Sequence, residues 1–307
     1  MTSREKQIIE LINREVKPAL GCTEPIAVAL AVAKAVEILE AERKIERLEA
    51  AFNIDVAVSG NILKNGMGVG VPGTGMIGLH IAAALGAVCG KSEYGLEVLH
   101  DLDDRSIARA KGIVADNQVN ITIADTSHKL YVSATVSLDG ISANAVIADN
   151  HDNIVRTMLG EKVICDCTNG GTENNEESSD CGITVHEIIE FAENADAEDI
   201  SFILGDKKLN LALAKEGLNG CYGLCVGRTI MRDKEKTFGD SFLTYAMALT
   251  AAASDARMAG CTLPAMSNSG SGNQGITVSM PVIAYAEHYG IDDEKLSRAL
   301  ILSNLIA

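Results

Sequence analysis

Apolar residues recur at a helical period through the first forty positions. Ile8, Ile9, Leu11, Ile12 and Val16 fall on one face of residues 3 to 18, with charged residues between them, which predicts an amphipathic helix. A second helix opens at Thr23-Glu24-Pro25, where a first-turn proline costs no hydrogen bond, and runs on apolar residues to about Glu40. Between about 47 and 165 the period shortens to two: Phe52, Ile54, Val56 and Val58 alternate with polar residues, as do Val119, Ile121 and Ile123, which predicts strands. Leu130 to Leu138, then Asp139-Gly140, then Ile141 to Ile147 reads as a hairpin, because Asp-Gly accepts the positive φ of a tight turn. Helical stretches at about 75 to 88 and 104 to 115 interrupt this part.

From Thr168 to Asp180 no residue is apolar, so that stretch reads as an exposed linker and a domain edge. Beyond it the helical period returns over 183 to 194, 206 to 217, 236 to 258 and 276 to 289, the last with a kink expected at Pro281. The segment from Asp292 to Ala307 ends on Leu302-Ser303-Asn304-Leu305-Ile306-Ala307, with no glycine or basic cap for its last carbonyls. That ending predicts a truncated chain. The pattern predicts an α+β protein: a helical catalytic part formed by residues 1–45 and 168–307, with an α+β part of antiparallel strands, residues 46–167, inserted between them. A doubly wound parallel sheet is the weaker reading, since strands and helices do not alternate along the whole chain.

Composition narrows the classes. Of 307 residues 47% are apolar but only 4% aromatic, with no Trp and 28 Gly, so the core must be aliphatic and closely packed. The net charge of −16 has the wrong sign for binding nucleic acid through its phosphates. The N-terminus carries no apolar signal run, and charged residues break every apolar stretch short of a membrane span, so a cytoplasmic protein without membrane contact is expected. Eight cysteines include no CxxC pair, which argues against a structural zinc site.

The glycine-rich run Gly66 to Gly75 lacks the G-x-G-x-x-G order and contains Pro72, so it reads as a tight turn rather than a dinucleotide loop. Residues Met258 to Gly275 form a polar loop between apolar helices. Placed at the N-terminus of a helix beginning near Ile276, its N–H groups and its Ser, Asn and Gln side chains suit a small carboxylate or amine; the bland alternative is an ordinary interhelical loop. Cys22 stands just before a helix N-terminus, where the macrodipole favours a thiolate and Glu24 opposes it, so it reads either as a base or as a buried spacer thiol. Cys221 and Cys225, four apart on an expected helix face, and Cys165 and Cys167 at the linker edge could each bind metal or be incidental thiols. The scattered histidines and the absence of a G-x-S-x-G elbow leave a hydrolase triad unsupported.

At Gly21-Cys22-Thr23-Glu24-Pro25, Ser59-Gly60-Asn61-Ile62-Leu63-Lys64-Asn65-Gly66, Val71-Pro72-Gly73-Thr74 and Gly260-Cys261-Thr262 to Gly275, the chain resembles the iron-sulfur L-cysteine desulfidases, relatives of the α chain of the iron-sulfur L-serine dehydratases. The likeness runs from about residue 1 to 307 and covers the front part of such a protein. It implies a 4Fe-4S cluster acting as a Lewis acid, Cys22 as proton acceptor and Cys261 as one cluster ligand, with the other ligands beyond Ala307. By that implication this chain alone holds no complete cluster and is expected to be inactive. The implied reaction is α,β-elimination of L-cysteine to sulfide, ammonia and pyruvate. Ser267, Asn268, Ser269, Ser271, Asn273 and Gln274 would bind the substrate's carboxylate and amine, with Asn61, Lys64 and Asn65 completing the pocket. No lysine stands in a pyridoxal-phosphate setting, so that cofactor is not expected. L-serine or L-threonine dehydration on the same scaffold is the alternative, and a non-catalytic amino-acid-binding protein a second one. A homo-oligomer is compatible with all three.

Overall fold

The computed structural model of the protein describes residues 2–45, 52–167, 182–237 and 239–307. The expected linker, with Cys181 after it, lies outside them. The chain divides into two compact units, Leu20–Asn174 and Met1–Ala19 with Asn175–Ala307. The architecture is α+β.

The first unit is built on a six-stranded sheet. Its order is Val119–Ile123, Asn53–Val58, Tyr131–Leu138, Ile141–Ala148, Ile154–Leu159, Lys162–Asp166. The expected hairpin is present: Leu138 pairs with Ile141, and Asp139 and Gly140 both adopt positive φ, 47° and 79°. Val132, Ala134, Val136 and Leu138 are buried while the residues between them are half-buried, the alternation of a sheet with one face on the core. One neighbour pair departs from the antiparallel expectation, since Asn53–Val58 runs parallel to Val119–Ile123. The helices Gly60–Gly66, Leu79–Cys89 and Asp104–Ala115 lie between these two strands in sequence and supply the long crossover that parallel pairing demands.

The Thr23–Arg43 helix belongs to this sheet unit, not to the helical part to which its position near the N-terminus assigned it. The reason is its composition. Apolar residues surround it on nearly every side, so it needs cover all round, which it finds between the Tyr131–Leu138 and Ile141–Ala148 strands and the Leu79–Cys89 helix. The helices meet closely at Gly86, where a Cβ would overlap the Ala29 carbonyl. The Leu79–Cys89 helix starts later than the expected residue 75, because Gly75 and Gly78 hold positive φ, 64° and 97°.

The second unit is helical. Its core joins Ile8 and Ile12 of the Ser3–Glu15 helix to Phe191, Leu213, Leu249, Met280, Ile283, Leu296 and Leu300 from five later helices, Val185–Asn194, Gly205–Asn219, Phe242–Met258, Gly272–Tyr289 and Asp293–Ile306. The expected helix over 236 to 258 is two pieces, Lys234–Thr237 and Phe242–Met258. Gly239 turns the chain at φ 78°, and the Ser241 side chain caps a fresh N-terminus by accepting from the Thr244 N–H. The helix expected to begin near Ile276 begins at Gly272, capped by Ser271, so the end of the polar loop is already its first turn. Pro281 lies inside that helix. Among the described residues no helix is long and apolar enough to cross a membrane.

Candidate functional site

In the sheet unit, three of the motifs noted in the sequence meet at one place. Cys22 is the N-cap of the Thr23–Arg43 helix and only 7% exposed. Gly21 before it, at φ 76°, packs so closely on the Pro72 ring that a Cβ would lie 2.8 Å from Pro72 Cγ. The Cys22 thiol donates to Glu24 Oε2 at 3.2 Å, and Asn65 Nδ2 donates to Glu24 Oε1 at 3.1 Å. Burial works to raise the Glu24 carboxyl. The thiol, the residue's own N–H, the charge of His151 and Asn65 outweigh it, so the carboxyl is held below its ordinary range. Glu24 is thus the hydrogen-bond acceptor of the Cys22 thiol, and its negative charge beside the sulfur works against a standing thiolate. Of the three pocket residues expected on the Gly60–Gly66 helix, Asn65 reaches this pair; Asn61, one turn earlier, and Lys64 are exposed and do not bond to it.

In the helical unit, the polar loop is a two-residue hairpin followed by a helix start. Ser269 and Gly270 take positive φ, 48° and 73°, and Asn268 and Ser271 exchange both backbone hydrogen bonds. The loop is pinned from behind by antiparallel pairing of Pro18–Ala19 with Ala265–Met266 and by Ser267 Oγ donating to the Lys17 carbonyl at 2.7 Å. Asn268, buried, donates to the Asn304 carbonyl and side chain, both at 3.0 Å, and its Oδ1 accepts from Ser269 Oγ and Gln274 Nε2, both at 3.0 Å. Asn304 in turn donates to Asp206 Oδ2 at 2.8 Å. Asp206 is 1% exposed, its Oδ1 has no partner among the described residues, and burial pushes its carboxyl up to about 7 despite the Asn304 bond. Ser267 and Asn268 thus spend their polar atoms shaping the loop. Asn273 and Gln274, half-buried in the first turn of the Gly272–Tyr289 helix, stand at its outer side. Asn273 Oδ1 accepts from Arg257 Nη1 at 2.9 Å.

Cys261 follows the Phe242–Met258 helix, 5% exposed, with its thiol against the Tyr222 hydroxyl. Tyr222 is raised above its ordinary range, first by its 2.7 Å bond to Glu216 Oε1, then by burial and by Cys261. Cys221 and Cys225 do not share a helix face. They flank a turn in which Gly223 and Cys225 take positive φ, and their sulfurs are 3.3 Å apart. Cys165 and Cys167, exposed, have sulfurs 3.6 Å apart. Pattern reading missed Arg257, Asp206, Asn304 and Tyr222. The available signal was a charge inside an apolar run, as at Arg257 among Ala252, Ala253 and Ala256.

A family model described as serine dehydratase alpha chain matches residues 93–307. The chain belongs to that family. Among its relatives, the UPF0597 protein of Bacteroides fragilis is 45% identical over 99% of the chain and 69% of its own length. UPF0597 protein YhaM of Escherichia coli O157:H7 is 45% identical over 98% of the chain and 69% of its own length. A UPF0597 protein of Oleidesulfovibrio alaskensis is 48% identical over 97% and 68%. No solved structure matches. Serine dehydratase alpha chains are associated with 4Fe-4S clusters. Such a cluster takes three or four thiolates. Among the described residues no three His, Cys, Asp or Glu side chains are grouped to hold a metal. The described donor set therefore does not fit a whole cluster. What these residues can do is move a proton, at Cys22 and Glu24, and bind a small polar ligand beside the hairpin loop.

Proposed function

We propose that this chain belongs to a lyase that eliminates the β-substituent of a small L-amino acid, with L-cysteine as substrate. The observation that carries the reading is the 3.2 Å hydrogen bond from the Cys22 thiol to a Glu24 carboxylate held ionised by its surrounding donors. Removing a Cα proton needs a base within hydrogen-bond reach. The Cys22 sulfur accepts the Cα proton as its own thiol proton passes along the hydrogen bond to Glu24 Oε2, so no free thiolate stands beside the carboxylate. The freed electron pair forms the Cα–Cβ double bond as sulfide leaves with the Cβ–S pair. The aminoacrylate tautomerises to an imine, which one water hydrolyses to pyruvate and ammonia. Asn65 fixes the carboxylate that receives the thiol proton.

The family description favours a second reading on the same scaffold, with L-serine and hydroxide as the leaving group. Two measurements test these readings. Loss of the Cα–H signal of L-cysteine in deuterated water, followed by NMR, reports proton abstraction alone; it is expected with the natural residue and absent in Cys22→Ser. Release of sulfide from L-cysteine and of pyruvate from L-serine and L-threonine, measured anaerobically, separates the substrates. Exchange that survives Cys22→Ser refutes the base assignment, and binding of amino acid without any exchange makes the protein a binder rather than a lyase.

A further inference from the structure

Arg257 is a buried cation without a counter-ion among the described residues. It is 2% exposed, no carboxylate pairs with it among the described residues, and its Nε has no acceptor there. Buried charges in proteins are paired, because an isolated one forfeits its hydration with nothing in return. The surroundings add to the demand. The guanidinium lies against Gly272, the first residue of the Gly272–Tyr289 helix, where a Cβ would overlap Nε and sit 2.6 Å from Cζ and 2.7 Å from Nη2. That is the positive end of an eighteen-residue helix. The C-terminus of the Phe242–Met258 helix, on which Arg257 stands, offsets this dipole and leaves the full side-chain charge unanswered.

The donors around Arg257 also converge. Arg257 Nη1 and Asn273 Nδ2 point at one atom, Met258 Sδ, at 3.8 and 3.3 Å. A thioether is a weak acceptor on an unbranched, easily rotated side chain, so an oxygen anion displaces it readily. In the helix's first turn the Gln274 N–H is capped by Ser271 Oγ and the Gly275 N–H by the Ser271 carbonyl, leaving those of Gly272 and Asn273 as free donors among the described residues. We propose that Arg257, Asn273 and this helix start form a carboxylate-binding site that seats the α-carboxylate of a small amino acid. The choice of ligand rests on the lyase reading above; the anion site itself rests on the unpaired guanidinium and the convergent donors. A guanidinium fork suits a planar carboxylate.

The test is calorimetric titration of the chain with L-serine, L-serinamide, which has no carboxylate, and acetate, repeated on Arg257→Met and Arg257→Lys. L-Serine is expected to bind at least about tenfold more tightly than L-serinamide, and Arg257→Met to abolish that preference. Arg257→Lys, which keeps the charge but not the fork, is expected to retain a weakened preference. Arg257→Met also removes an unpaired buried charge, so its thermal midpoint is expected to rise; a purely structural arginine would lower it. Equal binding of L-serine and L-serinamide by the natural chain, no binding of any carboxylate, or an undiminished preference in Arg257→Met overturns the proposal. Acetate and L-serine binding equally, both lost in Arg257→Met, would leave the anion site standing and remove the amino-acid reading. Binding of L-serine that ignores Arg257 would do the reverse.

Discussion

Replacing Asp206 by asparagine should stabilise the protein, and increasingly so as pH rises. Asp206 is 1% exposed, and burial lifts its carboxyl from 3.8 to about 7. Below the unfolded-state value both folded and unfolded forms carry the proton, and burial of the neutral acid costs nothing extra. Between the two values the unfolded chain ionises and the folded one does not, so stability falls by about 1.4 kcal/mol per pH unit, and the loss is complete above the folded-state value. The full penalty is about 4 kcal/mol. The asparagine of Asp206→Asn would be neutral throughout, and its side-chain oxygen can still accept from Asn304 Nδ2, which the aspartate does at 2.8 Å. Urea unfolding of both proteins at about pH 5.5 and about pH 8.5 isolates the effect, because titrations common to both cancel in the difference. The advantage of Asp206→Asn should grow by about 2 kcal/mol between those two conditions. An advantage independent of pH, or a variant less stable than the natural chain at the higher pH, would show that the carboxyl is ionised in the folded protein and that its lone oxygen has a partner.

Gly217→Ala should destabilise despite the higher helix propensity of alanine, worth about 1 kcal/mol. Its Cβ would overlap the Ala252 carbonyl where two helices cross, and such overpacking costs about 1 to 3 kcal/mol, so the net sign in a circular-dichroism melt is a lower midpoint. Thr184→Ala removes the side-chain half of the capping box, in which Thr184 Oγ1 accepts from the Glu187 N–H, and leaves the Thr184 N–H donating to Glu187 Oε2, at a cost of about 1 kcal/mol in chemical denaturation. An unchanged midpoint there would mean that the Val185–Asn194 helix is held by its packed face alone.

Local order was legible because it is a local property. The period of Phe52 to Val58, the Asp139-Gly140 turn and the Asp104–Ala115 helix follow from neighbours two to four residues apart, and they appear where the pattern puts them. Errors came where a distant contact decides. The Thr23–Arg43 helix reads as an ordinary apolar helix next to the N-terminal one, and only the strands at 131–148 and the helix at 79–89 draw it into the sheet unit. Helix starts moved where a single residue overruled the average, as at Gly78 and Ser271.

The same division runs through the candidate site. From the sequence alone came the fold class, the family relationship carried by four motifs, and the selection of Cys22, Cys261 and the polar loop as the chemically unusual positions. Residue types and their order suffice for those. Tertiary structure alone decided that Asn65 holds the carboxylate beside Cys22, that Ser267 and Asn268 are spent on internal bonds, and that Asp206 and Arg257 are buried without full partners among the described residues. Burial and pairing are sums over every group that surrounds a side chain, and most of those groups arrive from far along the chain.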